Sequence, residues 1–135
     1  MNELRNTYSG KRVFVTGHTG FKGAWLVQWL LQLGAEVIGY SLEKTDNTKL
    51  YEQLDLKSKI NHYPGDINDL VHLKEVFQKH QPEIVFHLAA QAIVKTSYED
   101  PLYTLQTNII GTANVLEAIR SVDSVDVAVL VTSDK

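Results

Sequence analysis

Thr16-Gly17-His18-Thr19-Gly20-Phe21-Lys22-Gly23 stands between two segments of opposite character. Before it runs Arg12-Val13-Phe14-Val15, a short strand pattern. After it comes Ala24-Trp25-Leu26-Val27-Gln28-Trp29-Leu30-Leu31-Gln32-Leu33, an apolar segment that reads as a helix closed by Gly34. Strand, glycine turn, helix is the setting that gives a glycine pattern a mechanical meaning. Gly17 and Gly20 allow a tight turn and close approach of backbone to ligand, because a Cβ would sit where a pyrophosphate lies. Gly23, one turn into the helix, lets that helix lie close to its strand. Free N–H groups at the helix start, together with the helix dipole, favour an anion there. Surface turns are also rich in glycine, but they do not usually join an N-terminal strand to an amphipathic helix.

Outward from this stretch the chain alternates. Residues 1–10 read as a loose arm, Arg12 to Thr16 as the first strand and Lys22 to Leu33 as the first helix. Ala35 to Tyr40 is a second strand, and Asp46 to Leu54 a loop with a short helix. Lys59 to Tyr63 is a weak third strand ending at Pro64-Gly65-Asp66-Ile67. Leu70, Leu73, Val76 and Phe77 mark an amphipathic helix stopped by His80-Gln81-Pro82. Glu83 to Ala90 reads as a buried strand running into small residues, and its His87 as a structural histidine, since nothing nearby would orient it as a base. Tyr98-Glu99-Asp100-Pro101 opens a long helix with proline in its first turn. Its core stripe is Leu102, Leu105, Ile109, Ala113 and Leu116, and Tyr103 and Ile110 widen the apolar face. Gly111 in mid-helix costs roughly 1 kcal/mol against alanine, so a packing reason is expected. Asp126 to Val131 is the fifth strand. Strands alternating with helices predict an α/β fold: a Rossmann-like, doubly wound parallel sheet of about five strands in the order 3-2-1-4-5, with helices on both faces. A flavodoxin-like domain is the alternative.

Composition narrows the function. The 135 residues suffice for one domain with a core, and 44% hydrophobic with 21% charged residues is ordinary for a globular protein. A net charge of −3 with no basic run argues against nucleic acid or an anionic membrane as partner. No apolar run approaches the roughly 20 residues that span a bilayer, and Met1 to Lys11 has no signal-peptide core, so a cytoplasmic location is expected. With no cysteine there is no disulfide, thiol catalysis or cysteine-bound metal, and the five histidines lack ligand spacing, so no metal site is expected.

The Gly-x-x-Gly-x-x-Gly spacing preceded by threonine resembles the extended short-chain dehydrogenase/reductase family. So does Thr107-Asn108-Ile109-Ile110-Gly111-Thr112-Ala113-Asn114-Val115-Leu116-Glu117-Ala118, which resembles that family's fourth helix. The resemblance implies bound NAD, held by Gly17, His18, Thr19, Gly20, Phe21, Lys22 and Gly23. It adds Ser41 at the ribose, Asp66 and Ile67 at the adenine, and Leu88, Ala89, Ala90, Thr107 and Thr132 along the sheet edge. The family's acid after the second strand is missing, since Ser41 occupies its place. Glu43 could substitute, and Lys44 could instead meet a 2′-phosphate, so the residues leave NAD and NADP both open. Asp66 or Asn68 could equally be the cap of the next helix. Asn108 in the family bonds main chain near the active site.

Within the family, Thr-Gly-His-Thr-Gly-Phe-Lys-Gly-x-Trp, His87-Leu88-Ala89-Ala90-Gln91 and Thr132-Ser133-Asp134-Lys135 look like the nucleotide-sugar 4,6-dehydratases, and like their CDP-glucose branch above others that carry an acid where Lys135 stands. The resemblance implies catalytic roles for Ser133, Asp134 and Lys135. The family's Tyr-x-x-x-Lys pair follows on the next helix, and neither Tyr51 nor Tyr98 has lysine four residues on. Residues 1–135 are thus expected to be an incomplete NAD(P)-binding Rossmann domain, inactive alone, without the tyrosine-bearing helix and the substrate domain. In the parent the partners would be a nucleotide sugar and a second copy meeting it through the fourth helix. Rival expectations are a sugar-nucleotide epimerase or reductase, and a non-catalytic module that senses a dinucleotide.

Overall fold

A short helix, α1 (Asn2–Tyr8), leads into β1 (Arg12–Thr16), the central strand of a five-stranded parallel sheet. The computed structural model describes residues 2–43 and 48–132. β1 is followed by α2 (Phe21–Gln32), β2 (Glu36–Ser41), α3 (Lys49–Gln53), a 3₁₀ turn (Leu56–Lys59) and β3 (Asn61–Pro64). Then come α4 (Leu70–His80), β4 (Ile84–His87), α5 (Val94–Glu99), α6 (Pro101–Leu105), a π-helical turn (Gln106–Ile110), α7 (Gly111–Arg120) and β5 (Val127–Leu130). The sheet order is β3-β2-β1-β4-β5, as the alternation of elements predicts.

Alternate residues of β1 feed two layers, because successive side chains of a strand point to opposite faces. Val13 and Val15 pack with Ala24, Val27 and Leu30 of α2. Phe14 packs with Leu73, Val76 and Phe77 of α4 and Val115 and Ala118 of α7. Both faces of β1 are therefore covered, which is why its sequence is continuously apolar. No helix among the described residues is long and apolar enough to cross a membrane.

Two expectations need correction. The N-terminal arm is helical from Asn2 to Tyr8, and it is tied down: the Tyr8 ring lies 6.4 Å from Phe86, and Gly10 N donates to Gly34 O at 2.9 Å. The long helix runs from Pro101 to Arg120 through a π-helical turn between α6 and α7, but the stripe expected to be its core faces outward. Leu102, Leu105, Ile109 and Leu116 are about half exposed or more, and Ala113 is exposed too. The buried face is Thr107, Gly111, Val115 and Ala118. The reason is distance. A Cβ on Gly111 would stand 2.6 Å from Ile67 Cγ2, so the helix comes close only with small residues inward. That is the packing reason expected of Gly111. Pro101 stands in the first turn, as expected, and Asp100 caps α6 by accepting from Tyr103 N at 3.1 Å.

Candidate dinucleotide site

At the carboxyl end of β1 the chain turns over the end of β4. Gly17 has φ +71°, and a Cβ there would lie 2.8 Å from Ala89 N. Its N–H donates to Tyr40 O at 2.9 Å, which pins the loop to β2 as well. Gly20 N closes the turn on Gly17 O at 3.3 Å. On Gly23 a Cβ would collide with Gly17 O, so only glycine lets α2 start this close to the loop. Gly20 differs, since its backbone is extended and a Cβ would touch only Gly17 O, at 3.5 Å. As the N-cap of α2 it supplies no side chain, so the first N–H groups of the helix have no side-chain cap and face the space above Gly20. This is a cradle for an anion at a helix start, and a dinucleotide pyrophosphate fits it.

Phe21 and Lys22 are exposed at the mouth of the cradle. His18 and Thr19 are not. Their side chains are buried, so what they can offer a cofactor is main chain. Thr19 Oγ1 lies 2.9 Å from Ser41 Oγ, which occupies the tip of β2, where no carboxylate stands. Glu43 beyond it is exposed, and Lys44 lies outside the described residues.

Asp66 Oδ1 accepts from Asn68 N at 2.9 Å, forming the turn after β3, while Asp69 caps α4 by accepting from His72 N at 3.1 Å. Neither Asp66 nor Asn68 is that cap. Ile67 is buried against α7, and Asn114 Nδ2 donates to its carbonyl at 3.0 Å. The Asp66 carbonyl accepts from the Tyr40 hydroxyl at 2.8 Å.

A chain of hydrogen bonds holds the third wall. Thr16 Oγ1 accepts from Leu88 N and Ala89 N, both at 3.1 Å, so its own proton goes to His87 Nδ1 at 2.7 Å. His87 Nε2–H then donates to Thr112 Oγ1 at 3.2 Å, and that hydroxyl donates to Asn108 O at 2.6 Å. His87 is thus structural, kept neutral by burial that lowers its pKa. Asn108 brackets Gln91 through both main-chain groups, accepting from its N–H at 2.8 Å and donating to its carbonyl at 3.0 Å. This bracket sits in the π-helical turn, a distortion often found at functional sites. Thr107 in the same turn is buried, and its hydroxyl has no partner. Thr16 and Gln91 stand in the quoted motifs without a role of their own, and the structure gives each one: Thr16 ties the end of β1 to Leu88 and Ala89, and Gln91 is the residue that Asn108 holds.

Ala90 is exposed and small, and Thr132 is exposed just past β5 on the same sheet edge. Ser133, Asp134 and Lys135 lie outside the described residues. One Tyr-x-x-x-Lys spacing does occur, at Tyr40 and Lys44, and it corrects the expectation that the chain holds none. Tyr40 is 1% exposed within β2, and burial, reinforced by Asp69 and Asp66, pushes its phenol up. It cannot present a hydroxyl to a substrate. Thr16, Gly17, Leu88 and Ala89 meet where the strand order reverses between β1 and β4, the position at which such sheets bind ligands, while Ser41 stands at the end of β2 and Asp66 and Ile67 follow β3.

The model of the GDP-mannose 4,6 dehydratase family matches residues 14–134. The chain belongs to that family. It is 46% identical over 131 residues to CDP-glucose 4,6-dehydratase of Salmonella typhimurium, an alignment that covers 97% of this chain and 36% of the relative. Among solved structures an epimerase from Methanothermobacter thermautotrophicus superposes with a TM-score of 0.81 at 33% identity, covering 99% of this chain and 38% of the other. The UDP-glucose 4-epimerase of Thermus thermophilus, determined in complex with NAD, gives 0.72 at 35% identity, covering 81% and 33%. The chain therefore spans about a third of the length of the family members it matches.

Proposed function

We propose that this chain is the NAD-binding part of a nucleotide-sugar 4,6-dehydratase whose substrate is CDP-glucose. The observation that carries the reading is the glycine cradle at the switch point, in a chain 46% identical to a CDP-glucose 4,6-dehydratase. The superposition on epimerases favours the nucleotide-sugar class as a whole. Gly17, Gly20 and the first N–H groups of α2 hold the pyrophosphate. Ser41 meets the adenosine ribose, Asp66 and Ile67 the adenine, and Leu88 to Ala90, Thr107 and Thr132 line the path of the cofactor. Bound NAD supplies a hydride acceptor and, later, a hydride donor.

At the sugar, oxidation of C4 gives a ketone that acidifies the C5 proton. Water leaves across C5 and C6, a hydride returns to C6, and the product is CDP-4-keto-6-deoxyglucose. Ser133 hydrogen-bonds the O4 region, Asp134 protonates the departing C6 hydroxyl and Lys135 removes the C5 proton. Lysine can do so only when neutral, which burial and neighbouring positive charge favour. The 135 residues alone form an incomplete cofactor domain and are not expected to turn over the sugar. On the same reading the full-length protein works in the cytoplasm and pairs with a second copy through the outward apolar face of α6 and α7.

The decisive experiment is Lys135→Met in the full-length protein. It is expected to leave C4 oxidation intact, seen as transient NADH absorbance, and to stop exchange of the C5 proton with solvent deuterium. Normal exchange would remove Lys135 from the mechanism. NAD is expected to bind at least about tenfold more tightly than NADP. A 2′-phosphate would meet the neutral Ser41–Thr19 hydroxyl pair, and no arginine follows. Calorimetry with both cofactors measures the ratio, and tighter NADP binding would reverse the assignment.

A further inference from the structure

The turn that follows β3 is held by two elements from elsewhere in the chain. Gly65 rests on the Tyr40 ring of β2, where a Cβ would overlap the phenol carbons. The Tyr40 hydroxyl donates to the Asp66 carbonyl at 2.8 Å, and His72 Nδ1 stands further off, at 3.4 Å. One residue on, Asn114 Nδ2 of α7 donates to the Ile67 carbonyl at 3.0 Å. The Ile67 side chain is itself wedged against Gly111. Two consecutive peptide planes are therefore fixed, each by a side chain of another element. Asp66 Oδ1 accepts from Asn68 N at 2.9 Å, which orients the carboxylate on its own turn. Asp66 nevertheless remains exposed. An exposed acceptor held in this way loses little freedom when it meets a ligand, which recognition at a fixed distance requires.

We propose that Tyr40 and Asn114 are positioning residues for adenine recognition: by holding the Asp66 and Ile67 carbonyls they keep the Asp66 carboxylate in one place, where it accepts from a 6-amino purine and rejects a 6-oxo purine. The proposal rests on the reading of the glycine loop as a dinucleotide site with its adenine at Asp66. An ionised carboxylate is an acceptor only, so it matches the amino group of adenine. Hypoxanthine presents an oxo group there, a second acceptor, and the two repel. Its compensating donor is N1–H, the neighbouring position on the ring. A carboxylate free to slide would follow the donor from one position to the other. Held through both carbonyls it cannot, and a charged acceptor is left facing another acceptor. Tyr40 is 1% exposed, too deep to touch a ligand, so it acts on the base only through the turn.

The test measures how tightly the full-length protein, freed of cofactor, binds NAD and nicotinamide hypoxanthine dinucleotide, which differ only in the purine. In the parent sequence NAD should bind at least about tenfold more tightly. Tyr40→Phe removes the hydroxyl and keeps the ring under Gly65. Asn114→Leu keeps the bulk of the side chain and removes its donor. Each should lower the preference to about threefold or less, mainly by weakening NAD, with an unchanged circular dichroism spectrum. A merely structural role would weaken both dinucleotides alike, so an unchanged ratio in either variant would remove that residue from the role, and in both would overturn the proposal. Equal binding of the two dinucleotides by the parent would also overturn it, and would leave the NAD site standing. A parent protein that binds neither refutes the cofactor reading, and the proposal falls with it.

Discussion

Valine at position 20 is expected to lower dinucleotide affinity by at least ~100-fold while the melting temperature moves by no more than about 3 °C. Valine at position 23 is expected to cost about 3 kcal/mol or more of stability. The two glycines belong to one motif, yet their surroundings are opposite. Gly20 has extended backbone that any residue adopts, and a Cβ there meets only Gly17 O at an ordinary 3.5 Å. Its added methyl groups would project into the space where the pyrophosphate lies. A Cβ on Gly23 would run into Gly17 O and crowd His18 Cα at 2.8 Å, atoms of a backbone that cannot yield without moving α2 off the loop. Thermal unfolding and calorimetry with NAD on both variants separate the effects. Unchanged affinity in Gly20→Val would place the ligand elsewhere, and a normal melt in Gly23→Val would mean the close approach is not required.

Acidification is expected to destabilise the chain well before its carboxylates titrate. His18 is fully buried, and burial, with the neighbouring His62, lowers its pKa from 6.5 to about 3 against a smaller upward pull from the Tyr40 carbonyl. The folded chain therefore keeps this ring neutral while the unfolded chain takes up a proton near pH 6.5. Unfolding binds a proton throughout that window, so stability rises with pH across it. It is complete above about 6.5 and is lost progressively as pH falls toward 3. At about 1.4 kcal/mol per unit, His18 alone should lower the unfolding free energy by about 3 kcal/mol between about pH 7.5 and about pH 4.5. His62, His80 and His87 are also lowered by burial and act in the same direction. Urea titrations at the two pH values measure the difference, and His18→Gln should remove most of it. An equal loss in that variant would mean that His18 is not the group responsible.

The site was legible in the sequence as far as its backbone goes. Gly17, Gly20 and Gly23 announce themselves because the demand they meet is local: a turn, an open cap and a contact between residues six apart. The direction of side chains was not legible there. His18 reads as part of a binding loop, and its ring in fact packs against Tyr51 and His62, which are 33 and 44 residues further on. Asp66, Asn68 and Asp69 are all suitable caps by type, and the path of the chain out of β3 chose Asp69.

Sequence by itself determined the alternation of strands and helices and the strand order, because apolar periodicity and glycine turns are properties of neighbouring residues, and few topologies satisfy them. Only the tertiary structure decided which face of α7 is buried. The apolar pattern favoured Leu102, Leu105, Ile109 and Leu116, but Ile67 leaves no room for a Cβ at position 111, so Gly111 turns inward with Val115 and Ala118 on its face, and the leucines and Ile109 face out. It likewise decided that α1 is helical, since Asn2–Tyr8 carries no amphipathic pattern and is held by contacts of Tyr8 and Gly10 with Phe86 and Gly34. Such contacts join residues far apart in the chain, and no local pattern records them.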